Sequence, residues 1–326
     1  MHPAGMIELR PEVLEAVRGG RPVVALESSL IAHGLPWPLN LETARDAEAA
    51  VRAEGAVPAT IAVLEGRPSV GLNGGELEKL AAGQDILKAA RRDLAPAIVH
   101  KCTAATTVSA TMFLAHQAGI RILATGGIGG VHRPLFPRGV SVPRNPLSPR
   151  PLGERGGGEG WDISADLREL ARTPVAVVCA GAKSILDIPR TLEQLETLGV
   201  PVVGYGTDEF PGFYLRTSGR PVSARVNAPE QAAALLAAHW SLDGAGVVLA
   251  QPLPEDVALE PKEFEAALLE AESQAAANGV QGKELTPFLL ARLAEITNGK
   301  TLRANQALVT ANARLAAKVS KALVTR

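Results

Sequence analysis

Cysteine and aromatic residues are scarce in this chain of 326 residues. The cysteines are Cys102 and Cys179, and aromatic residues make up 3% of the sequence. Two thiols in apolar surroundings, without a ligand set at zinc spacing, exclude a disulfide scaffold and a zinc module and predict reduced core thiols. So few aromatic rings also argue against a single-stranded nucleic-acid platform, because such platforms stack bases on aromatic side chains.

The sequence also lacks an excess of charge of either sign and a long apolar run. Its 33 basic and 34 acidic residues give a formal net charge of -1, which provides no attraction for a nucleic acid polymer or a membrane surface. Charges interrupt the first 21 residues, and no stretch approaches the roughly 18 apolar residues of a membrane span. We therefore expect a soluble, cytoplasmic protein that binds neither nucleic acid polymers nor membranes.

What the sequence does contain is a regular alternation of short apolar runs and helical patterns. We expect strands at residues 22–26, 97–99, 120–124, 174–180, 202–205 and 247–250, and a hairpin of 60–64 with 68–71. We expect helices at 41–54, 75–82, 186–198, 229–240, 261–278 and 285–296, another opened by 103–110, and a last one from about 302. This alternation predicts an α/β fold with a mainly parallel sheet and helices on both faces (α/β/α). We expect one large domain, residues 1–326, with a helical C-terminal part.

Two charged residues come directly after predicted strands. Glu27 follows the first strand, and Lys183 follows the strand at 174–180. In open α/β sheets, ligands bind beyond the carboxyl ends of the strands, so both residues are candidates for the site. An ordinary loop lysine is the simpler alternative for Lys183. The neighbouring Asp162, Ser164 and Asp166 favour a functional role for Lys183, because a cluster of polar residues in an otherwise apolar region indicates a binding or catalytic site.

Two segments of small residues lie between these candidates. Residues 125–130 are Thr-Gly-Gly-Ile-Gly-Gly, and such glycines let a backbone approach a ligand closely, but the spacing matches neither a dinucleotide nor a Walker fingerprint. NAD and ATP are therefore rejected as the first ligands. His132 beside this segment is either a substrate contact or a structural histidine. The hydroxyl-rich residues 103–110 form either an anion site at a helix N-terminus or ordinary helix caps.

The composition changes abruptly at residues 134–160. Proline, glycine and arginine dominate this stretch, which is typical of an irregular loop. Because the strand and helix alternation continues beyond it in the same style, it does not mark a domain boundary. It is either a lid over the site or a passive insertion.

Together these motifs resemble the pseudouridine-5'-phosphate glycosidase family over nearly the whole chain. The motifs occur at residues 25–29, 33–34, 57–63, 91–93, 125–133, 162–167, 181–187, 207–211 and 286–290. The resemblance implies reversible cleavage of the C–C glycosidic bond of pseudouridine 5'-phosphate to uracil and ribose 5-phosphate. It also implies a divalent metal cofactor, manganese (Mn2+), and a homotrimer. The family joins the motifs on either side of 134–160 by a much shorter segment, so the resemblance marks this stretch as an insertion.

The resemblance assigns roles residue by residue. Glu27 matches the family's proton donor, Lys183 its nucleophile and Asp162 its metal ligand. Substrate-binding positions match Lys88, Val108, Ser164, Ala165 and Asp166, and the sugar-phosphate pocket is expected to be lined by Thr125, His132 and Asn305.

The chemistry of the bond explains why an amine is needed. Because the bond joins two carbons, protonating a leaving heteroatom is not enough. A lysine such as Lys183 can attack C1 of the sugar, open the ring and form an iminium, while Glu27 handles the proton at the uracil carbon. One carboxylate, Asp162, with water completing the shell, suits a hard ion such as Mn2+. The alternatives are another Schiff-base sugar-phosphate lyase or isomerase, and a non-catalytic sugar-phosphate-binding regulator whose insertion prevents turnover.

Overall fold

The computed structural model describes residues 7–133, 162–280 and 285–325, and the predicted insertion at 134–160 lies outside these ranges. The strands within them are β1 (Glu8–Leu9), β2 (Val23–Leu26), β3 (Val57–Leu64), β4 (Arg67–Val70), β5 (Leu87–Ala89), β6 (Ala104–Thr106), β7 (Ile122–Ala124), β8 (Ala176–Cys179), β9 (Val202–Tyr205), β10 (Ala224–Val226) and β11 (Val247–Ala250). The helices are α1 (Pro11–Arg18), α2 (Ser29–His33), α3 (Leu39–Ala53), α4 (Gly74–Ala82), α5 (Leu94–Val99), α6 (Val108–Gln117), α7 (Ala165–Leu170), α8 (Ile188–Thr197), α9 (Pro229–Ser241), α10 (Pro261–Ala277), α11 (Leu285–Ile296) and α12 (Lys300–Val324). None of these helices is long and apolar enough to cross a membrane.

The strands form one mainly parallel sheet in the order β1-β4-β3-β2-β7-β8-β11-β9-β10, with β6 and β5 branching from β3. Strand β3 pairs antiparallel with β4 and β6, and the other described pairings are parallel. Strands β2, β8 and β11 consist of Val, Ala, Leu and Cys and are buried along their length, as expected for strands covered on both faces. The predicted fold class is confirmed.

Helices cover both faces of this sheet. On one face, α12 packs against α3 and α9 and lies across β2, β7 and β8. On the other face, α6 packs against α7 and against β2, β3 and β7. The apolar stripe of α12 is part of the core, with Leu308, Leu315 and Val319 all buried, so its helical spacing reflects packing inside the molecule.

The order of the strands creates a crevice between β2 and β7. From β2 the sheet grows through β3 and β4, whereas from β7 it grows in the opposite direction through β8 and β11. Leu26 of β2 pairs with Ala124 of β7, and Ala124 pairs with Val178 of β8. The three strands therefore end at the same level. Such a reversal of strand order is the usual place for a ligand in an open α/β sheet.

The predicted strand at 97–99 is wrong. These residues belong to α5, and the strand β6 begins only at Ala104. Asp93 accepts a hydrogen bond from the Ala90 backbone at 3.0 Å, which starts a short 3-10 turn that continues into α5. Pro96 fits there because the first turn of a helix leaves its N–H groups unpaired in any case. A run of three apolar residues cannot by itself distinguish a helix from a strand.

Candidate active site

Glu27 lies at the crevice, immediately after β2, and is only 9% exposed. Ser29 Oγ donates a hydrogen bond to Glu27 Oε2 at 2.5 Å, and the Thr125 hydroxyl donates to Oε1. Thr125 follows β7, so this second hydrogen bond crosses the point where the strand order reverses. The carbonyl of Thr125 in turn accepts a hydrogen bond from Asn312 Nδ2 of α12 at 2.8 Å. The orientation of the Glu27 carboxyl group is therefore fixed by residues from three separate elements.

Lys183 follows β8 in a segment whose main chain is held by the glycine-rich residues 125–130. The Ala180 amide donates to the Gly126 carbonyl at 2.9 Å, and the Lys183 amide donates to the Ile128 carbonyl at 3.1 Å. Gly181 has a φ of +89°, and a Cβ there would lie 2.1 Å from the Pro211 carbonyl oxygen. The absent side chain thus makes room for the protein's own backbone. As a result, the Lys183 side chain starts from a rigid segment.

Asp166 joins three segments of the site through its buried carboxylate. Oδ1 accepts a hydrogen bond from the Ser109 amide and Oδ2 accepts one from the Gly129 amide, both at 2.9 Å. Ser109 lies in the first turn of α6, where a negative charge is stabilised by the unpaired amides and the helix dipole. The Ser109 amide in the predicted anion site is thus occupied by the protein's own carboxylate. Ser164 Oγ accepts a hydrogen bond from the Asp166 amide at 3.2 Å and caps α7.

His132 lies among the charged groups of the site. Its backbone amide donates to the Asp162 carbonyl at 3.0 Å. Burial lowers the pKa of the His132 imidazole; the Asp162 carboxylate opposes this shift, and the ammonium groups of Lys183 and Lys88 add to it. His132, Asp162 and both lysines are therefore within electrostatic reach of one another, and the balance favours a neutral imidazole.

Two adjoining cavities meet at the crevice, and we name them the inner and outer chambers. Glu27, Lys88, Lys183 and Thr286 line both of them. The inner chamber has a volume of about 30 Å³, and its other lining residues are Ser29, Leu30, His33, Gly34, Gly126, Gly127, Phe213, Leu290 and Asn305. The outer chamber has a volume of about 880 Å³, and its other polar lining residues are Arg91, Arg92, Asp93, Thr107, His132, Asp162, Ser164, Asp166, Arg168, Arg172 and Gln194.

The structure places most of the sequence-predicted residues at these chambers. Val108, His132, Asp162, Ser164, Ala165 and Asp166 line the outer chamber, and Lys88 lines both. Asn305 lines the inner chamber. Thr125 is 3% exposed and reaches the site through its hydrogen bond to Glu27. The roles assigned to these residues remain predictions, since position alone does not test them.

A metal ion at Asp162 would have a sparse protein ligand set. The described residues contain no group of three His, Cys, Asp or Glu side chains that could hold an ion. Asp162 itself is exposed, and the Asp166 carboxylate already accepts two amides. Ions such as Mg2+ keep several waters and bind through one or two carboxylates together with substrate oxygens. The residues present fit such a largely hydrated ion and do not fit a closed structural site.

Several lining residues were missed by sequence reasoning. Ser29 and His33 belong to the motif that follows β2, and Thr286 belongs to the motif at 286–290, so their clustering with Glu27 was the available signal. Phe213 had no such signal. It adopts a φ of +65°, which is rare for an aromatic residue and marks a position that its surroundings impose.

Comparison with known proteins places the whole chain in one group. The family model described as "Indigoidine synthase A like protein" matches residues 12–141 and 152–322, and its break lies inside the predicted insertion. A pseudouridine-5'-phosphate glycosidase of Caldanaerobacter subterraneus subsp. tengcongensis is 50% identical, over 96% of this chain and 95% of its own. One of Methylobacterium nodulans is also 50% identical, over 98% of this chain and 89% of its own.

Solved structures give the same grouping. A crystal structure of the prealnumycin C-glycosynthase AlnA in complex with ribulose 5-phosphate has a TM-score of 0.83 and 39% identity, over 98% of this chain and 97% of that one. An indigoidine synthase A-like protein from Thermotoga maritima has a TM-score of 0.81 and 36% identity, with the same coverage of both chains. The similarity therefore extends to the complete fold and includes both sides of the crevice.

Proposed function

This chain belongs to the indigoidine synthase A like family and, within it, to the pseudouridine-5'-phosphate glycosidases, and we propose that it reversibly cleaves the C–C bond of pseudouridine 5'-phosphate to uracil and ribose 5-phosphate. One observation carries this proposal. An amine, Lys183, and a buried carboxyl group, Glu27, line the same two chambers at the point where the strand order reverses. The whole chain, residues 1–326, acts as one catalytic domain carrying an insertion at 134–160.

The two chambers differ in a way that matches the two halves of the substrate. The outer chamber carries four arginines of its own, Arg91, Arg92, Arg168 and Arg172, and the hydroxyl groups of Thr107 and Ser164. Cations and hydroxyl donors suit a phosphate dianion. The charged residues lining the inner chamber are the three that it shares with the outer one. We therefore place ribose 5-phosphate in the outer chamber and the edge of the uracil ring in the inner chamber.

Lys183 would provide the electron sink that a C–C bond requires. Its Nζ bonds to C1 of the ribose while the bond from C1 to the ring oxygen breaks, and that oxygen takes up the proton that the amine gives up. The nitrogen lone pair then forms an iminium as the C1–uracil bond breaks. The electron pair of that bond moves onto the uracil ring. Water finally adds to C1 of the iminium and the C1–Nζ bond breaks, which releases ribose 5-phosphate and the lysine amine, and the proton set free in this step returns to Glu27.

Glu27 would deliver the proton to the uracil carbon as that bond breaks. It lies at the boundary of the chambers, where the two halves of the substrate separate. The hydrogen bonds from Ser29 and Thr125 hold the carboxyl group in one orientation, and a positioned acid is more effective than a mobile one. In the synthetic direction the same group removes that proton.

Asp162 would hold a divalent ion, Mn2+, through its exposed carboxylate, with water and substrate oxygens as the other ligands. The bound ion would supply positive charge near the sugar and phosphate oxygens. The sparse ligand set predicts weak binding that depends on the metal concentration. We further propose a homotrimer acting in the cytoplasm; resemblance to the family supports both, and sedimentation equilibrium tests the oligomeric state.

The direct test is incubation of the protein with pseudouridine 5'-phosphate, with and without Mn2+, followed by chromatography of the products. We expect uracil and ribose 5-phosphate in equal amounts, and pseudouridine 5'-phosphate when these two are supplied instead. The absence of uracil from every metal condition would contradict the proposal. Binding of ribose 5-phosphate without product would instead favour the sugar-phosphate-binding regulator.

A second candidate is C-glycoside formation on a different acceptor. The neighbour named as a prealnumycin C-glycosynthase favours it, because the same lysine adduct can be captured by another carbon nucleophile. Other Schiff-base sugar-phosphate lyases and isomerases would share Lys183 but need no nucleobase. Supplying ribose 5-phosphate alone, with uracil or with a phenolic acceptor separates these cases. We expect product formation with uracil only.

A further inference from the structure

His33 lines the inner chamber and carries a buried ring nitrogen that lacks a partner among the described residues. It is the last residue of α2 and lines this chamber beside Asn305 and Phe213. Its Nε2 atom is buried and has no hydrogen-bond partner among the residues that the structure describes. Buried polar atoms in native proteins nearly always have a partner, so an unpaired one at a cavity needs an explanation.

The state of the ring determines what this nitrogen can bind. Burial lowers the pKa of His33 and the charge of Lys88 lowers it further, whereas a hydrogen bond to the Leu87 backbone raises it. The net effect favours the neutral imidazole. The interaction with the Leu87 backbone favours a proton on the other ring nitrogen, and Nε2 of a neutral ring in that tautomer is an acceptor. The ligand that satisfies it must carry a donor such as an N–H group.

Asn305 lines the same chamber and carries a second buried acceptor without a partner among the described residues. Its side chain is 2% exposed and hydrogen-bonds Tyr214, while its Oδ1 atom has no partner in the described part of the chain. The chamber of about 30 Å³ has room for about two waters, so the edge of a ring can enter it but a second ring cannot. Uracil offers two N–H groups on the part of its ring that points away from the ribose-bearing carbon.

Building on the proposed function, we propose that His33 determines specificity for the nucleobase, with its Nε2 accepting a hydrogen bond from a ring N–H of uracil. Neither the strand-end pattern nor the resemblance assigned a role to this histidine. A site built around an acceptor discriminates against rings that lack the donor, because the acceptor is then left buried and unpaired. This would distinguish uracil from carbon nucleophiles without ring N–H groups.

The first test uses the unaltered protein. Cleavage of pseudouridine 5'-phosphate is compared with cleavage of its N1-methyl and N3-methyl derivatives, each of which lacks one ring N–H. We expect kcat/KM for at least one derivative to fall by about 5- to 150-fold, as for a buried polar group left without its partner. Cleavage of both derivatives within about twofold of the parent nucleotide would overturn the inference.

The second test uses His33→Phe, which keeps a flat ring and removes the acceptor, and His33→Gln, which keeps an acceptor oxygen. We expect His33→Phe to lower kcat/KM for pseudouridine 5'-phosphate by about 5- to 150-fold and to lose the discrimination against the sensitive derivative. We expect His33→Gln to retain part of the kcat/KM and part of the discrimination against that derivative. His116→Phe is the matched control, because His116 Nδ1 also lacks a described partner but lines neither chamber.

A third measurement separates nucleobase recognition from an effect on the lysine. Borohydride trapping of ribose 5-phosphate without uracil involves no nucleobase, so His33→Phe should match the wild type within about twofold. Equal losses of trapping and cleavage, or equal losses for all three nucleotides, would show that His33 acts on Lys183 or on the fold and would overturn the inference. If the wild-type protein is trapped by ribose 5-phosphate but never cleaves the nucleotide, the proposed function itself fails.

Discussion

The inner and outer chambers share the reactive residues but are built differently. The inner chamber has apolar walls, Leu30, Phe213 and Leu290. Two of its other lining residues, His33 and Asn305, carry buried polar atoms that have no partner within the described ranges. The polar side chains that line the outer chamber are mostly charged, and two of its arginines, Arg91 and Arg172, are held from behind by the buried Glu169, at 2.7 and 2.8 Å. The proposed placement of the substrate therefore assigns recognition of the nucleobase to a few hydrogen bonds and recognition of the ribose phosphate to charge.

This difference has a consequence for the reaction. A nucleobase is neutral and flat, and a ribose phosphate is charged and flexible, so in the proposed placement each half of the substrate meets the kind of surface that suits it. In the proposed mechanism, the bond between the halves breaks at the boundary, beside Glu27 and Lys183. Substitutions at the boundary should affect the chemistry of both the sugar and the nucleobase. Substitutions inside one chamber should affect only the half of the substrate that binds there.

The largest effect is expected from Lys183→Ala. Without the amine no iminium can form, so cleavage should fall by about a thousandfold or more, while the melting temperature stays close to that of the wild type. Activity is measured as uracil released. Lys79→Ala, an exposed helical lysine, is the control and should remain fully active. Retention of more than about one percent of the parent activity by Lys183→Ala would contradict its role as nucleophile.

Glu27→Gln should separate formation of the Lys183 adduct from cleavage of the C–C bond. The amide keeps the shape of the side chain but cannot deliver a proton, so cleavage should slow by about 100- to 10,000-fold. Formation of the ribose 5-phosphate adduct does not need this proton, and borohydride trapping should therefore persist. If trapping is lost together with cleavage, Glu27 acts on the sugar half and its assigned role is wrong.

Asp166→Asn tests whether the buried Asp166 carboxylate stabilises the segments that form the outer chamber. Only one oxygen of the new amide can accept, so the Ser109 or the Gly129 amide loses its partner, and the charge at the start of α6 disappears. The free energy of unfolding should decrease by about 1 to 3 kcal/mol, measured by urea denaturation. Ser164→Ala, which removes only the cap of α7, should cost about 1 kcal/mol. An unchanged stability in Asp166→Asn would mean that this carboxylate is not a structural anchor.

The smallest effect is expected from Asp162→Asn. A neutral ligand in place of the carboxylate should raise the Mn2+ concentration for half-maximal activity by about tenfold, with activity recovered at high metal. Activity is titrated against Mn2+ after chelator treatment. The exposed Asp85→Asn provides a matched change of charge away from the site. An identical metal dependence in Asp162→Asn and the wild type would place the metal elsewhere.

Sequence reasoning reached the fold and the strand ends but not the separation into chambers. The positions of Glu27 and Lys183 depend on local sequence, because a buried apolar run followed by a charged residue marks the carboxyl end of a parallel strand. The contacts of Asp166 with Ser109 and Gly129 join segments that are far apart in sequence, and no local pattern encodes them. The misassigned strand at 97–99 shows the same limit, since a three-residue run is decided by its tertiary neighbours.

Covalent trapping of the lysine tests the central claim most directly. The protein is incubated with ribose 5-phosphate, reduced with borohydride and digested, and the modified peptide is identified by mass spectrometry. We expect a single adduct on Lys183, formed without uracil and absent from Lys183→Ala. An adduct on Lys88, the other lysine that lines both chambers, would reverse the roles of the two lysines, and no adduct under any metal condition would contradict the covalent mechanism.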